Sequence, residues 1–389
     1  MASHPPVLGI LGGGQLARMT AYAAFRLGLH VHIFDAHGSS PAGQIAHSET
    51  VGHVADHDAL IAFGRSCDVV TLESEFVNER HLAALEAAGV AVHPGSHCLA
   101  LVQDKLVQKQ TLAGAGIPVA PFRAVESEQE VVAAGEELGW PLVLKSRRNG
   151  YDGYGNATLH SASEIAEGWQ RITASEERRE LYVEAFVPFE RELATMVARS
   201  TTGEVRLYPI VDTVQRNHIC HSVSAPADVP QPVALRAAEL ARAAVEAVGG
   251  IGVTGVEMFL LTNGDIVVNE LAPRPHNSGH YTIEGCTVSQ FENHVRGVMG
   301  WPLGDTGLRA PGVVMVNILG RESAAGWAGN YSEVLKNPAV HLHLYGKEQS
   351  RKGRKMGHIT VLADSVGEAL ECAERAEATL QFDREGENV

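Results

Sequence analysis

The first 35 residues constrain the fold more than any other part of the chain. Val7 to Leu11 is an apolar run of strand length, Gly12-Gly13-Gly14 follows at once, Gln15 to Leu27 has helical periodicity, and Val31 to Phe34 with Asp35 forms a second strand. A strand that turns through glycines into a helix and returns as a strand is a βαβ unit, whose crossover makes the two strands parallel. A third strand, Val69 to Leu72, runs into Glu73-Ser74-Glu75, and a short one, Ala91 to His93, into Pro94-Gly95. Alternating parallel strands and helices predict a doubly wound parallel-sheet α/β domain over residues 1–100.

A helix expected around Asp104 to Leu112 and the strand Leu142 to Lys145 open a middle α+β domain, residues 101–300. Within it Val233, Ala237, Leu240, Ala241, Ala244 and Val248 make one helical stripe, opposite Arg236, Glu239, Arg242 and Glu246. Trp301-Pro302-Leu303-Gly304 marks the passage to a small, strand-rich C-terminal domain, residues 301–389.

The whole chain of 389 residues is expected to fold, because hydrophobic residues make up 45% and charged residues 20%. With 31 basic and 46 acidic residues the net charge is 31 − 46 = −15, which repels a polyanion and argues against a nucleic-acid partner. The basic clusters Arg147-Arg148 and Arg351 to Lys355 suit a single phosphate, so a small anionic ligand is expected. Of the five cysteines the closest pair, Cys67 and Cys98, is 31 positions apart, which suggests neither a disulfide framework nor a thiolate zinc site. No basic segment leads into a sustained apolar run, and no membrane-spanning stretch is apparent; a cytoplasmic protein without a membrane partner is expected.

Gly12 to Ala17 satisfies G-x-G-x-x-A, and Asp35 closes the next strand about 20 residues on, as a nicotinamide dinucleotide site requires. The pattern is weak by itself, because a tight βα turn beside any anion needs the same small residues. A second glycine cluster is richer. Lys145 ends a strand and Gly150-Tyr151-Asp152-Gly153-Tyr154-Gly155-Asn156 follows, a segment able to bring backbone N–H groups and one point charge to phosphates.

Val253 to Leu261 and Ile266 to Leu271 flank Thr262-Asn263-Gly264-Asp265. If Asn263-Gly264 forms a two-residue type I′ turn, Glu257 stands opposite Glu270 on one face, with Cβ atoms about 5 Å apart. Two carboxylates so placed repel unless a cation lies between them, and oxygen-only ligation suits Mg²⁺. A one-residue slip would throw one glutamate to the other face. The loop Ala272 to His280 then brings Arg274, His276 and Asn277 close to Glu270.

Asn269 to His280, Gly150 to Gly153, Gly13 to Met19 and Gly353-Arg354-Lys355-Met356-Gly357-His358 resemble, in order and along the whole chain, the motifs of the 5-(carboxyamino)imidazole ribonucleotide synthase family of the ATP-grasp superfamily. The resemblance implies a preceding doubly wound domain, a central ATP-grasp domain and a small C-terminal domain, assembled as a homodimer. It implies ATP-dependent carboxylation of 5-aminoimidazole ribonucleotide with bicarbonate through carboxyphosphate, giving ADP and phosphate, in purine biosynthesis. ATP contacts carry over to Lys105, Lys145, Gly150, Tyr151, Asp152, Gly153, Tyr154, Gly155, Asn156, Glu184, Ala185, Phe186, Val187, Glu192, Asn269 and Glu270. Glu257 and Glu270 match the ligands of Mg²⁺, for which Mn²⁺ is a substitute. The ribonucleotide falls to Gln15, Leu16, Glu73, Tyr151, Asp152, Lys347, Arg354 and Lys355, and the catalytic set is Asp152, Arg274, His276 and Asn277. Asp152 is the first candidate for the base and His276 the second. Lys105 stands where many members carry arginine, Ala17 where many carry glycine, and Ala272 replaces an asparagine common among ATP-grasp enzymes.

Two other enzyme readings are an ATP-grasp ligase acting on glycinamide ribonucleotide with formate and a nicotinamide oxidoreductase. A binding module without catalysis is the third, disfavoured by the presence of both metal-type glutamates and Lys145.

Overall fold

The computed structural model describes residues 4–150, 155–174, 180–216, 218–326 and 330–380. Its first sheet has four parallel strands, β1 (Val7–Leu11), β2 (His30–Asp35), β3 (Ser48–Val51) and β4 (Val69–Leu72), in the order β3-β2-β1-β4. The expected βαβ unit is present: β1 pairs β2 from Val7↔His30 to Leu11↔Phe34, and the helix Gln15–Arg26 lies between them in sequence. The strand β3 has no apolar signature because Ser48, Glu49 and Val51 sit on an exposed edge. Ala91 to His93 adds only one parallel bridge, Val70↔Val92, before the chain turns away at Pro94.

A second, antiparallel sheet contains β5 (Phe122–Val125), β6 (Leu142–Ser146), β7 (Asn156–Leu159) and β8 (Leu181–Ala185), ordered β5-β8-β6-β7. Leu142, Leu144, Leu181 and Val183 face its core, so alternation turns Lys145, Tyr182 and Glu184 to the other side.

The large third sheet begins with β9 (Phe189–Arg199), β10 (Val205–Leu207), β11 (Val211–Arg216), β12 (Ile219–Ala225), β13 (Gly252–Leu261) and β14 (Ile266–Ala272). It continues through β15 (Gly312–Leu319) to later C-terminal strands; β16 (Ala324–Ala325) and β18 (Gln349–Ser350) form a separate ribbon, while β17 (Val340–Leu344) and β19 (Lys355–Ala363) join the sheet. The path is β14-β13-β9-β11-β12-β15-β19-β17, with β10 beside β9. Strands on the two sides of residue 300 are thus joined at β12 and β15, from Ser222↔Val316 to Ala225↔Val313. The amphipathic helix Gln231–Ala247 buries Ala237, Leu240, Ala241 and Ala244 against Leu193, Val197, Val256 and Met258, as its stripe requires.

Buried His294 fastens the first sheet to the third. Its Nδ1 accepts the Val253 N–H at 3.0 Å, so Nε2 carries the proton and donates to Thr71 Oγ1 at 2.9 Å. Burial lowers its pKa to about 3, which keeps the ring neutral in this role.

Candidate active site

Glu257 on β13 and Glu270 on β14 are directly paired, as expected, but the turn is not the one predicted. Gly264 N–H donates to Leu261 O and Leu261 N–H to Asp265 O, which makes a three-residue loop closed by Gly264 at φ +87°. That loop shifts the register by one, from Leu260↔Ile266 to Met258↔Val268, and an irregularity at Asn269 shifts it back. Because Val268 and Leu271 point into the core, the extra residue leaves both Asn269 and Glu270 for the opposite face. On β9, Glu192 pairs with Phe259 and lies beside them. Burial, then the charges of Glu270 and Glu192, push the Glu257 carboxyl up to about 7.

A row of ammonium groups faces these carboxylates. The helix Lys105–Gly114 starts at Asp104, whose side chain accepts from Leu106 and Val107 N–H, and it presents Lys105 and Lys109 one turn apart. Lys105 Nζ donates to Glu270 Oε2 at 2.9 Å. Lys109 Nζ lies 3.3 Å from Glu184 Oε1, whereas Lys145 Nζ donates to Glu184 Oε2 at 2.9 Å. The Tyr182 hydroxyl completes the Glu184 shell at 2.8 Å. Burial would raise the Glu184 carboxyl, but Lys145 and Lys109 outweigh it and hold it near 2. Burial drives Lys109 down to about 8 despite Glu184. Sequence reasoning missed Lys109 and Tyr182; the spacing of Lys109 four residues after Lys105 was the available signal for the lysine.

Beyond β8 the chain passes through Phe186 and Val187 into β9, linking the small sheet to the large one, and the Phe186 ring is exposed. Gly150, Gly155 and Asn156 flank the end of β6, where Ser146 N–H donates to Gly155 O. Tyr151, Asp152, Gly153 and Tyr154 lie outside the described residues. Arg147 is not a free phosphate ligand: it makes a forked contact to Asp104, with Nη2 2.6 Å from Oδ2. Arg148 contacts Gln103 at 2.8 Å and approaches Glu79.

From the first sheet, Glu73 reaches the glycine turn. Its Oε1 accepts from Leu16 N–H at 3.4 Å, and a Cβ on Gly14 would collide with that carboxylate, which is why glycine is needed there. Gln15 and Leu16 open the helix Gln15–Arg26 next to it. Burial raises the Glu73 pKa, opposed first by Arg274. Asp35 does not offer its oxygens to a ribose: Oδ2 accepts from Gly13 N–H at 2.7 Å and Oδ1 from His37 N–H at 2.8 Å.

The loop after β14 is more engaged than its sequence suggests. Arg274 grips Glu75 with Nε and Nη2, the latter at 2.8 Å, and donates from Nη1 to Pro275 O. Burial opposes the charge of Glu75, but Arg274 prevails and keeps that carboxyl below its usual range. His276 Nε2 lies 3.6 Å from Glu257 Oε1, while Nδ1 accepts from Ser278 N–H and meets Ser278 Oγ at 2.8 Å. Burial, then Arg274, lowers the ring to about 3, so it is a neutral donor at Nε2. Asn277 exchanges two amide hydrogen bonds with Asn317 of β15.

The C-terminal strands bring positive charge. Lys347 Nζ donates to Lys355 O at 2.6 Å, and Arg354 Nη1 to Gln349 O at 2.7 Å. A recess of about 570 Å³ is lined by Ser323, Ser350, Arg351 and Arg354 among others. Burial, then Arg354, lowers Lys347 to about 7, with Glu73 pulling the other way. Another recess, of about 640 Å³, is lined by Arg147, Arg148, Trp169 and Glu180 and holds none of the residues matched to ATP, metal or ribonucleotide. Among the described residues no group of three or more metal-type side chains closes a metal site unaided.

Three domain families match in order: the ribonucleotide synthetase preATP-grasp domain over residues 6–103, the ATP-grasp domain over 110–291, and the phosphoribosylaminoimidazole carboxylase C-terminal domain over 313–372. The chain is 42% identical to the N5-carboxyaminoimidazole ribonucleotide synthase of Synechococcus elongatus, covering 96% of this chain and 93% of that one. It is 44% identical to the phosphoribosylaminoimidazole carboxylase of Schizosaccharomyces pombe, of whose length it spans 66%. The crystal structure of N5-carboxyaminoimidazole synthase from Aspergillus clavatus in complex with ADP and 5-aminoimidazole ribonucleotide matches with a TM-score of 0.87 at 38% identity, covering 96% of this chain and 98% of that one.

Proposed function

The chain belongs to the N5-carboxyaminoimidazole ribonucleotide synthase family of ATP-grasp enzymes, and from that premise we propose how its own residues divide the reaction. It is an ATP-grasp ligase that carboxylates 5-aminoimidazole ribonucleotide in purine biosynthesis, with ATP cleaved to ADP and phosphate. Bicarbonate is the carbon source in our reading. It is a poor electrophile, so one of its oxygens first takes the γ-phosphoryl group, giving carboxyphosphate and ADP. The exocyclic amine then attacks the activated carbon, phosphate departs, and the amine proton goes to a base.

The meeting of the Glu257–Glu270 pair with Lys105 and Lys145 in one cleft carries this reading. The donors fit a hard divalent cation: they are oxygens only, and the repulsion that lifts Glu257 to about 7 is what a cation would remove. Glu257 and Glu270 would hold Mg²⁺, with phosphate oxygens and water as further ligands. When bound, that ion neutralises charge on the phosphates. Lys145 is held by Glu184 at the end of β6, from which an ammonium can reach a phosphoryl oxygen, and Lys109 keeps Glu184 ionised. Phe186 and the chain leading into β9 supply an apolar surface for the adenine.

His276, a neutral donor at Nε2, is suited to orienting bicarbonate rather than to taking a proton. That leaves Asp152 as the base. Arg274 has its guanidinium fixed by Glu75 and can meet bicarbonate with its remaining N–H groups. Glu73, Gln15, Leu16, Lys347, Arg354 and Lys355 bind the ribonucleotide, the basic groups at its phosphate. We assign the enzyme to the cytoplasm as a homodimer; among the described residues no helix is long and apolar enough to cross a membrane.

ADP release measured with 5-aminoimidazole ribonucleotide, bicarbonate and Mg²⁺, each omitted in turn, tests the reading. All three should be required and NAD without effect. Equal release with glycinamide ribonucleotide and formate would overturn it.

A further inference from the structure

Asn317 lies on β15, next to the seam where strands from the two sides of residue 300 join, and only 1% of it is exposed. Its amide is fully committed. Oδ1 accepts from Asn277 Nδ2 at 2.9 Å, while Nδ2 donates to Asn277 Oδ1 at 2.6 Å and to Cys220 O at 2.9 Å. Both N–H groups of Asn317 are therefore used, one on the loop and one on β12. Asn277 follows His276 directly, and His276 Nε2 stands 3.6 Å from Glu257. On its other side Asn317 is paired with His358 of β19, the strand that begins at Lys355.

We propose that Asn317 is a positioning residue for carboxyl transfer, acting through Asn277 and His276. The inference rests on the reaction assigned above. A reciprocal amide pair needs a donor and an acceptor on each side, and no other side chain of this size supplies both in one plane. It thus fixes the bicarbonate-facing loop to β15, which pairs in turn with β19, the strand that begins at the ribonucleotide-binding Lys355. The two substrates must meet before the activated carboxyl group is lost to water, so slack in this link affects the second half-reaction first. Attack by water on carboxyphosphate would release bicarbonate and phosphate, consuming ATP without product. Phosphoryl transfer to bicarbonate keeps Lys105, Lys145 and the glutamate pair, so once bicarbonate is saturating it should be much less affected.

The test compares purified wild type with Asn317→Asp and Asn317→Ser. The aspartate keeps the shape but sets oxygen against Asn277 Oδ1 and Cys220 O; the serine is too short to reach the loop and is the fallback if buried charge prevents folding. ADP and carboxylated product are both measured, with Michaelis constants for ATP, bicarbonate and the ribonucleotide. Wild type should give one product per ADP. The variants should give several ADP per product and a bicarbonate constant raised roughly tenfold, with the ATP constant within twofold. A folded variant that keeps one product per ADP, or raises all three constants by the same factor, overturns the proposal as a merely structural contact. Wild type that makes no product from these substrates overturns the assigned reaction instead.

Discussion

Glu257 and Glu270 face each other across β13 and β14, and Glu270 is held directly by Lys105 at 2.9 Å. His276 Nε2 lies 3.6 Å from Glu257 but belongs to a ring that burial keeps neutral, and the charges of Lys105 and Lys355 are outweighed at Glu257 by burial, Glu270 and Glu192. The repulsion in the pair therefore falls on Glu257. Its folded pKa of about 7 exceeds the ordinary 4.5, so the folded protein binds more protons between those values and loses stability as pH rises through the window. Glu257→Gln should remove that loss. In the presence of a chelator the wild type should melt lower at pH 8 than at pH 5 by a margin the variant lacks, whereas with Mg²⁺ present the variant's kcat should fall by roughly a hundredfold, about 2.7 kcal/mol of the several that a held metal contributes. Identical pH slopes of melting in the two proteins would show that Glu257 is not strained.

Lys109 is the buried counterpart of this pair, with 2% of its side chain exposed and Glu184 3.3 Å away. Removing one member of a buried ion pair typically costs about 3–5 kcal/mol, because the other charge is stranded; here Lys145 and Tyr182 still hold Glu184, so the lower end is expected. Lys109→Met should lose about 3 kcal/mol in urea unfolding and raise the Michaelis constant for ATP, as Lys145 is drawn toward the unbalanced carboxylate. A loss below about 1 kcal/mol with an unchanged ATP constant would mean that Lys145 alone neutralises Glu184.

The glutamate pair shows how far the sequence can be read. Counting outward from an assumed Asn263-Gly264 turn reaches the pairing found, but by two errors that cancel: Thr262 belongs to the loop, and Asn269 is an extra residue in β14. Neither is visible from alternation, because a bulge depends on which side chains the packed sheet can bury. The βαβ opening and the stripe Val233 to Val248 were legible since each is a local periodicity. What stayed hidden is contact between distant segments. Arg274 to Glu75, Asn277 to Asn317 and His294 to Thr71 join residues 199, 40 and 223 positions apart, and no local pattern encodes them.

Arg274 and Glu75 make one of those contacts, each with less than a fifth of its side chain exposed. Glu75→Gln keeps the shape but leaves the guanidinium without its counter-charge, so Arg274 should swing out of the geometry that presents it to bicarbonate. The expected outcome is a stability loss of about 3 kcal/mol and a kcat lowered by roughly tenfold to a hundredfold, with the Michaelis constant for ATP little changed. Circular dichroism melting and steady-state ADP release check both parts. Full activity in a destabilised variant would make Glu75 a structural clamp only.

Lys347 makes substrate binding depend on pH. Burial, reinforced by Arg354, lowers its pKa to about 7, so in the free enzyme it is charged below neutrality and increasingly neutral above it. A neutral amine attracts a phosphate far less than an ammonium does. The Michaelis constant for the ribonucleotide should therefore climb between pH 7 and 9, since binding must then recover a proton. Stability runs the other way: the unfolded lysine keeps its proton up to about 10.5, the unfolded chain binds more protons between 7 and that value, and stability rises with pH there. Lys347→Arg separates this from titration of the ligand's own phosphate, which is common to both enzymes. Arginine stays charged throughout, so the variant's ribonucleotide constant should be flat where the wild type's rises about tenfold, with the ATP constants parallel. Parallel ribonucleotide constants across that range would remove Lys347 from the phosphate site and leave the charge to Arg354 and Lys355.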